Sequence, residues 1–249
     1  KTFKIIKKNT MKQNYNKFHS NGHLIIRNNI PSINLKKIEK NFFSTYSKTL
    51  KIKVNKKNYS KIILDFEKED KFDELYSALK KFTSSKEFLS LSKFFQKKAK
   101  NIFKKKFKLI NTGMAIGLNN SNRTAYKWHQ EKPYYPNTKT IHFQFPLLSQ
   151  CNKKNGTMSV LSGSNAEGYI KSVNNFQKHK KAVNSFIPTK INEFKKKYKE
   201  TFINMNKKDF VLFHENVIHK TNKNRSSKIR LACIFRFKGD YEYNSKKTQ

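Results

Sequence analysis

The stretch Phe210-Val211-Leu212-Phe213-His214-Glu215-Asn216-Val217-Ile218-His219 is followed by turn formers, Asn222-Lys223-Asn224-Arg225-Ser226-Ser227, and then by a second apolar run from Lys228. Apolar runs rich in β-branched and aromatic residues, bounded by Asn and Ser clusters, read as strands. The reading is therefore two strands, 209–220 and 228–237, joined as a hairpin centred between Asn224 and Arg225. In that register His219 lies directly across from Arg230, and cross-strand neighbours share a face with Cβ atoms about 5 Å apart. Thr221 falls on the same face, diagonal to Arg230. His214 has the opposite parity and belongs outside that face.

Upstream, further short β runs read at 106–118, 124–131, 139–148 and 157–161, with Asn155-Gly156 as a hairpin turn between two of them. The Lys- and Asn-rich stretch 165–205 reads as an irregular or helical insertion. Before residue 106 the period changes. Residues 23–30, HLIIRNNI, form a short strand ending at Pro31, and Ser32 then caps a helix carrying Leu35, Ile38, Phe42 and Phe43. A second helix covers about 67–80, with Phe72, Leu75, Tyr76 and Leu79 on one face. A third starts at the capping serines Ser84-Ser85 and carries Phe88, Leu89, Leu91, Phe94 and Phe95. These aromatic stripes read as core. Helices first and short strands after them predict a mainly β fold, a β-sandwich or a jelly roll (double-stranded β-helix, cupin-like), with an N-terminal helical layer packed on one sheet. The organisation expected is one domain over 1–249, with about 1–105 as support and about 106–237 as core.

Chemistry enters at Trp128-His129-Gln130-Glu131 in the candidate strand 124–131. Alternation puts His129 and Glu131 on one face, and Trp128 and Gln130 on the other. An H-x-E pair alone says little, and His219, about ninety residues on, supplies a third ligand. Two histidines and a carboxylate hold a non-haem Fe(II) on one side and leave its other positions open. A buried arginine costs several kcal/mol unless paired, so Arg230 beside His219 fits a dicarboxylate lying between metal and guanidinium. Trp128, Tyr134 and Tyr135 flank the ligand strand as candidates for the mouth of the site, Tyr135 foremost because it follows Glu131 by four residues. His142 lies on a neighbouring strand and can face inward, but it lacks a carboxylate at matching spacing. His19, His23 and His179 fall in polar or terminal stretches and read as incidental.

Composition alone points elsewhere. The net charge is +39, which makes nucleic acid or an anionic membrane the first partner class to test. Yet the charge is almost all lysine: arginine stands only at 27, 123, 225, 230 and 236, and arginine is the residue suited to bidentate phosphate and base recognition. Lysine is scattered along every segment beside abundant Asn and Ile, as A/T-rich codons dictate, so a solvated lysine coat is the preferred reading. Cys151 and Cys233 have no CxxC spacing, which excludes a cysteine-rich zinc site and fits a reducing, cytoplasmic setting. No apolar run reaches the roughly 20 residues that span a bilayer. The basic start KTFKIIKKNT lacks the apolar region of a secretory signal.

Taken together these stretches resemble the phytanoyl-CoA dioxygenase-like branch of the Fe(II)/2-oxoglutarate oxygenases. Gly22-His23-Leu24-Ile25-Ile26-Arg27-Asn28 looks like the family's N-terminal strand, and Trp128-His129-Gln130-Glu131 resembles its W-H-x-D ligand motif. Asn155-Gly156-Thr157-Met158-Ser159-Val160-Leu161-Ser162-Gly163-Ser164-Asn165 is similar to its N-G-x-L-x-V-x-P-G-S-H stretch. Lys208-Asp209-Phe210-Val211-Leu212-Phe213 and Ile218-His219-Lys220-Thr221 resemble its G-D-x-x-x-F and H-x-S elements, and Asn224-Arg225-Ser226 with Arg230 completes the order. Departures are Glu131 for the usual Asp, Ser162 for Pro, Asn165 for His and Lys208 for Gly. The resemblance implies Fe(II) on His129, Glu131 and His219. It also implies 2-oxoglutarate held through its far carboxylate by Arg230 and Thr221, with O2 as co-substrate and succinate and CO2 as products. The oxidised substrate, small or carrier-linked, is not named by any motif. Two other classes stay open: a lysine-rich nucleic-acid-binding protein and a jelly-roll binding module without catalysis.

Overall fold

A computed structural model describes residues 2–121, 124–175 and 185–241. His179 and Arg123 lie outside the described residues. The chain opens with α1 (Thr2–Asn21) and β1 (His23–Ile26), followed by α2 (Ser32–Leu50), α3 (Tyr59–Lys68) and α4 (Phe72–Thr83). The short α5 (Lys86–Ser90) and α6 (Ser92–Phe103) complete the helical part. The strands are β2 (Lys108–Gly117), β3 (Thr140–Pro146), β4 (Met158–Leu161), β5 (Ser172–Asn175) and β6 (Ser185–Pro188). After α7 (Ile191–Lys197) come β7 (Glu200–Phe202), β8 (Phe210–His214), β9 (His219–Thr221) and β10 (Arg230–Lys238).

Two antiparallel sheets make the sandwich. The larger runs β1-β8-β3-β10-β2 and the smaller β7-β4-β9, while β5 and β6 pair with each other. Period-2 alternation assigns every strand of the larger sheet two faces. One face carries Ile141, Phe143 and Phe145 of β3, Phe210 and Leu212 of β8, and Cys233, Phe235 and Phe237 of β10, all buried against the helices. Phe88 stacks on Phe235 with ring centroids 4.7 Å apart, and Phe95 meets Phe143 at 4.9 Å. The aromatic stripes of α5 and α6 are thus core, as their spacing predicts. The opposite face carries Val211, Phe213 and Ala232, which meet Met158 and Val160 of the smaller sheet. The functional site lies in this inter-sheet layer.

Several local expectations change. The run 209–220 is two strands, not one. After His214 the chain turns, Val217 N–H donating to His214 O at 3.1 Å, and leaves the larger sheet for the smaller. Glu215 and Asn216 mark the break, since a continuous apolar strand has no place for them. Residues 222–229 are accordingly not a hairpin: β9 pairs with β4, while β10 pairs with β2 and β3. His219 and Arg230 are therefore in different sheets and are not cross-strand partners. Asn224 fixes this crossover, its Nδ2 donating to Gly117 O and Lys228 O at 2.8 Å each.

Asn155-Gly156 likewise turns the chain between sheets, from β3 to β4, with Gly156 at φ +76°. Residues 165–205 contain strands β5, β6 and β7 beside the short α7, and β7 completes the smaller sheet. The helix expected at 67–80 begins at Phe72, behind a separate α3. Ser32 is the first residue of α2, one place past the cap, whereas Ser85 does cap α5 by accepting from Phe88 N–H.

Candidate metal and co-substrate site

The segment expected as strand 124–131 forms a single bridge. His129 and His219 exchange both backbone hydrogen bonds at 2.9 Å, and Thr221 N–H donates to Tyr126 O at 3.0 Å. Glu131 then adopts helical angles (φ −80°, ψ −22°) and starts the 3-10 turn Lys132–Tyr134, which carries Pro133. The predicted parity nevertheless holds. Gln130 points away, buried, donating to Gly168 O and Asn216 O and accepting from Ile170 N–H. The turn at Glu131 is pinned from behind, because Glu131 N–H donates to Glu215 O at 2.9 Å. The Glu215 carboxylate in turn accepts from Thr140 N–H at 2.7 Å.

His129, Glu131 and His219 come together, all three buried, with one donor atom from each within 4.8 Å of the others. Oε1 of Glu131 is 3.6 Å from His219 Nε2 and 4.0 Å from His129 Nε2. Each Nδ1 faces a backbone carbonyl, Lys127 O at 2.7 Å for His129 and Val217 O at 3.0 Å for His219. A carbonyl only accepts, so Nδ1 carries the proton on both rings and both Nε2 lone pairs point at the common centre. Burial pushes His129 down to about 3, which keeps it neutral and able to ligate. Burial would raise the Glu131 carboxyl, but the Arg236 guanidinium beside it more than offsets this and holds it well below the ordinary range. Glu131 is therefore ionised and His129 neutral, as ligands of a divalent iron must be.

Arg230 lies on the inward face of β10, 1% exposed, paired in register with Gly117 of β2. Its Nε and Nη2 have no hydrogen-bond partner. A Cβ on residue 117 would stand 3.1 Å from that Nε, so the glycine makes room for the guanidinium. The cavity of about 280 Å³ around the triad is lined by Ala115, Met158 and Thr221 among others. Ala115 pairs with Ala232, one inward step before Gly117 and Arg230. Arg230 itself does not line that cavity, but two buried cationic donors without a partner fit an anionic group that the chain itself does not supply.

Tyr135 sits at the end of the 3-10 turn, half-buried, its hydroxyl 3.2 Å from Asn111 Nδ2. It does not line the cavity, whereas Tyr126 does, with its ring 5.6 Å from that of His129. Trp128 faces an outer groove, with Lys220 Nζ 4.3 Å above its ring. His214 points away from the site, buried against Phe18, as its parity predicts.

Two site residues escape the sequence reading. Arg236 Nε is 3.4 Å from Glu131 Oε2, and His142 Nδ1, without a hydrogen bond, is 3.6 Å from the same oxygen. The signal for Arg236 was available, since it shares parity with Arg230 on β10. For His142 the missing carboxylate is Glu131, which arrives from another segment.

The sequence model described as Phytanoyl-CoA dioxygenase (PhyH) matches residues 18–232. The chain belongs to the phytanoyl-CoA dioxygenase family. This is a family of Fe(II)/2-oxoglutarate oxygenases, and the PhyH fold is the jelly roll with N-terminal helices described above. Among solved structures, EctD from S. alaskensis with 2-oxoglutarate and 5-hydroxyectoine superposes with a TM-score of 0.59 at 10% identity, covering 95% of this chain and 80% of that one. SnoK, a non-heme alpha ketoglutarate dependent carbocyclase from nogalamycin biosynthesis, gives 0.61 at 12% identity, covering 97% and 90%. The epimerase SnoN in complex with Fe3+, alpha ketoglutarate and nogalamycin RO gives 0.57 at 8%, covering 94% and 87%. At these identities the likeness is one of fold. No curated protein sequence matches the chain. No helix among the described residues is long and apolar enough to cross a membrane.

Proposed function

We propose that this PhyH-family chain is an Fe(II)- and 2-oxoglutarate-dependent dioxygenase that hydroxylates a small-molecule or carrier-linked substrate, with release of succinate and CO2. The observation that carries the reading is the buried triad His129, Glu131 and His219 with its two Nε2 lone pairs aimed at one point. These three residues would hold the iron. Arg230, with Thr221 on the cavity wall, would take the far carboxylate of 2-oxoglutarate, for which its unpartnered nitrogens are suited. Bound iron and 2-oxoglutarate supply the oxygen activation and the oxidising power that no side chain has.

The chain's own part is placement and exclusion of water. Lys127 O and Val217 O fix the ring orientation of the two histidines. Arg236 holds Oε2 of Glu131, so that Oε1 is the oxygen presented to the histidines. Met158 and Phe213 give the cavity an apolar floor, and Tyr126 closes the side next to His129. Charge-assisted contacts in such a partly enclosed pocket are worth more than in water.

The test is anaerobic addition of Fe(II) and 2-oxoglutarate, followed by oxygen and assay of succinate. Iron-dependent succinate that disappears in His129→Ala and His219→Ala supports the reading. A folded protein that binds neither iron nor 2-oxoglutarate refutes it.

A further inference from the structure

Arg236 has more positive charge to offer than Glu131 uses. Among the described residues its guanidinium makes one hydrogen bond, from Nε to Glu131 Oε2 at 3.4 Å. Nη1 lies over Gly113, where a Cβ would stand 3.5 Å from it, and both residues line the cavity. The side chain is 18% exposed and lines the cavity, so its terminal nitrogens are open to a group bound there. Among the described residues Glu131 is the only carboxylate on the cavity wall. The other buried acid nearby, Glu215, is committed to Thr140 and Lys132.

The charges of the loaded site then do not cancel. Iron brings two positive charges and Arg230 and Arg236 one each, while Glu131 removes one and 2-oxoglutarate two. One positive charge is left over in a partly enclosed pocket, where a matching anion is held more strongly than in water. Arg230 and Arg236 stand six residues apart on one strand face, roughly 20 Å along the backbone, so one dicarboxylate between iron and Arg230 cannot also satisfy Arg236.

We propose that Arg236 is an anion subsite, and that the substrate carries a carboxylate or another monoanionic group that docks on its terminal guanidinium nitrogens. Gly113 leaves the space for that group over Nη1, and Asn111, which pairs with Arg236 in register and lines the same cavity, offers an uncharged polar edge beside it. Tyr76 and Leu79 of α4 form the wall at this end, so the rest of the substrate meets an aromatic and an aliphatic side chain. The selection is for one negative charge near the reacting centre, independent of the lysines on the surface.

This inference rests on the iron and 2-oxoglutarate reading, and the experiment separates the two. The protein is first loaded anaerobically with Fe(II) and 2-oxoglutarate, and loading is measured by iron content and by the visible charge-transfer absorption of the complex. Absence of loading counts against the proposed function itself. The loaded protein is then titrated calorimetrically with acetate, butyrate, hexanoate and benzoate, and with the matching primary amides. At least one carboxylate binds roughly tenfold or more tightly than its amide, the difference a charged hydrogen bond makes. Gly113→Val, which fills the space over Nη1 and leaves Arg236 Nε on Glu131, retains iron and loses the preference; Arg236→Gln loses the preference in the fraction that still loads, and Arg236→Lys restores part of it. Loading intact with carboxylates and amides binding equally, or neither binding, overturns the subsite. So does a preference that survives in Arg236→Gln.

Discussion

Oε2 of Glu131 lies 3.4 Å from Nε of Arg236, while the other oxygen of the same carboxylate faces His129 and His219. The two oxygens thus have separate tasks, one toward the metal position and one toward a fixed cation. This division gives the longer glutamate arm a defined orientation where the family more often has aspartate.

Removing the carboxylate should therefore have two effects. Glu131→Ala abolishes iron binding, and it also leaves Arg236 unpaired in the metal-free protein. Breaking a buried pair from one side costs about 3 kcal/mol. The urea midpoint of the iron-free variant should fall accordingly, and the double variant Glu131→Ala/Arg236→Met should recover much of the loss. An unchanged midpoint in the single variant would show that the pair carries no stability.

Arg230→Gln should weaken 2-oxoglutarate binding by roughly tenfold to a hundredfold, as expected for loss of charged hydrogen bonds, with iron stoichiometry intact. Gly117→Val should act in the same direction without touching any ligand, because a side chain there meets Arg230 Nε. Calorimetric titration of the anaerobic iron form checks both. Wild-type affinity in Gly117→Val would mean that the guanidinium is not held where the glycine leaves room.

Much of this site was legible beforehand, and the reason is local. Alternation fixes parity within a strand, so Gln130 away from Glu131 and His214 away from the site follow from counting, whereas the inward face of Arg230 was read from a hairpin register that does not form. Pairing between strands is a tertiary property, and there the counting failed: His219 and Arg230 face one layer from two different sheets. The turn formers of 222–227 are real, but they span a crossover rather than a hairpin. Arg236 was within reach of the same parity argument. His142 was not, because its carboxylate neighbour comes from a segment that bonds to the smaller sheet.

Asp209 illustrates how the frame is fastened. It accepts from Asn28 N–H and from Arg27 Nη1 at 2.7 Å each, and from Asn206 N–H at 2.8 Å, tying the end of β1 to the start of β8. Burial opposes its ionisation, but these donors win and its pKa lies below the ordinary 3.8. A depressed folded pKa contributes stability that is present above the unfolded value and lost as pH falls through the folded one. Asp209→Asn should thus cost about 1 kcal/mol at neutral pH, with the gap to wild type closing below about pH 4 in denaturant titrations. Arg27 is half exposed, so Arg27→Ala should cost less. A gap that persists undiminished at pH 2 would refute the charge argument.

Phe95 touches five other rings, those of Phe94, Phe143, Phe145, Phe210 and Phe235, with centroids 4.9 to 5.6 Å away. Phe95→Ala should destabilise by about 3–5 kcal/mol, while leaving the iron stoichiometry of the folded fraction unchanged. Loss of iron without loss of stability would contradict the placement of this cluster outside the site.

The paired backbone hydrogen bonds between His129 and His219 join residues that are remote in sequence. Such a contact forms only after most of the intervening chain has been ordered, since its loop must close before it is rewarded. A metal that needs both imidazoles therefore sees nothing in the unfolded chain and everything in the finished one. Its binding energy becomes folding energy, adding RT ln(1 + [L]/Kd) to the stability of the whole sandwich. The amides of 129 and 219 should then be among those whose hydrogen exchange slows most when metal is added, which makes the site a gauge of its own assembly.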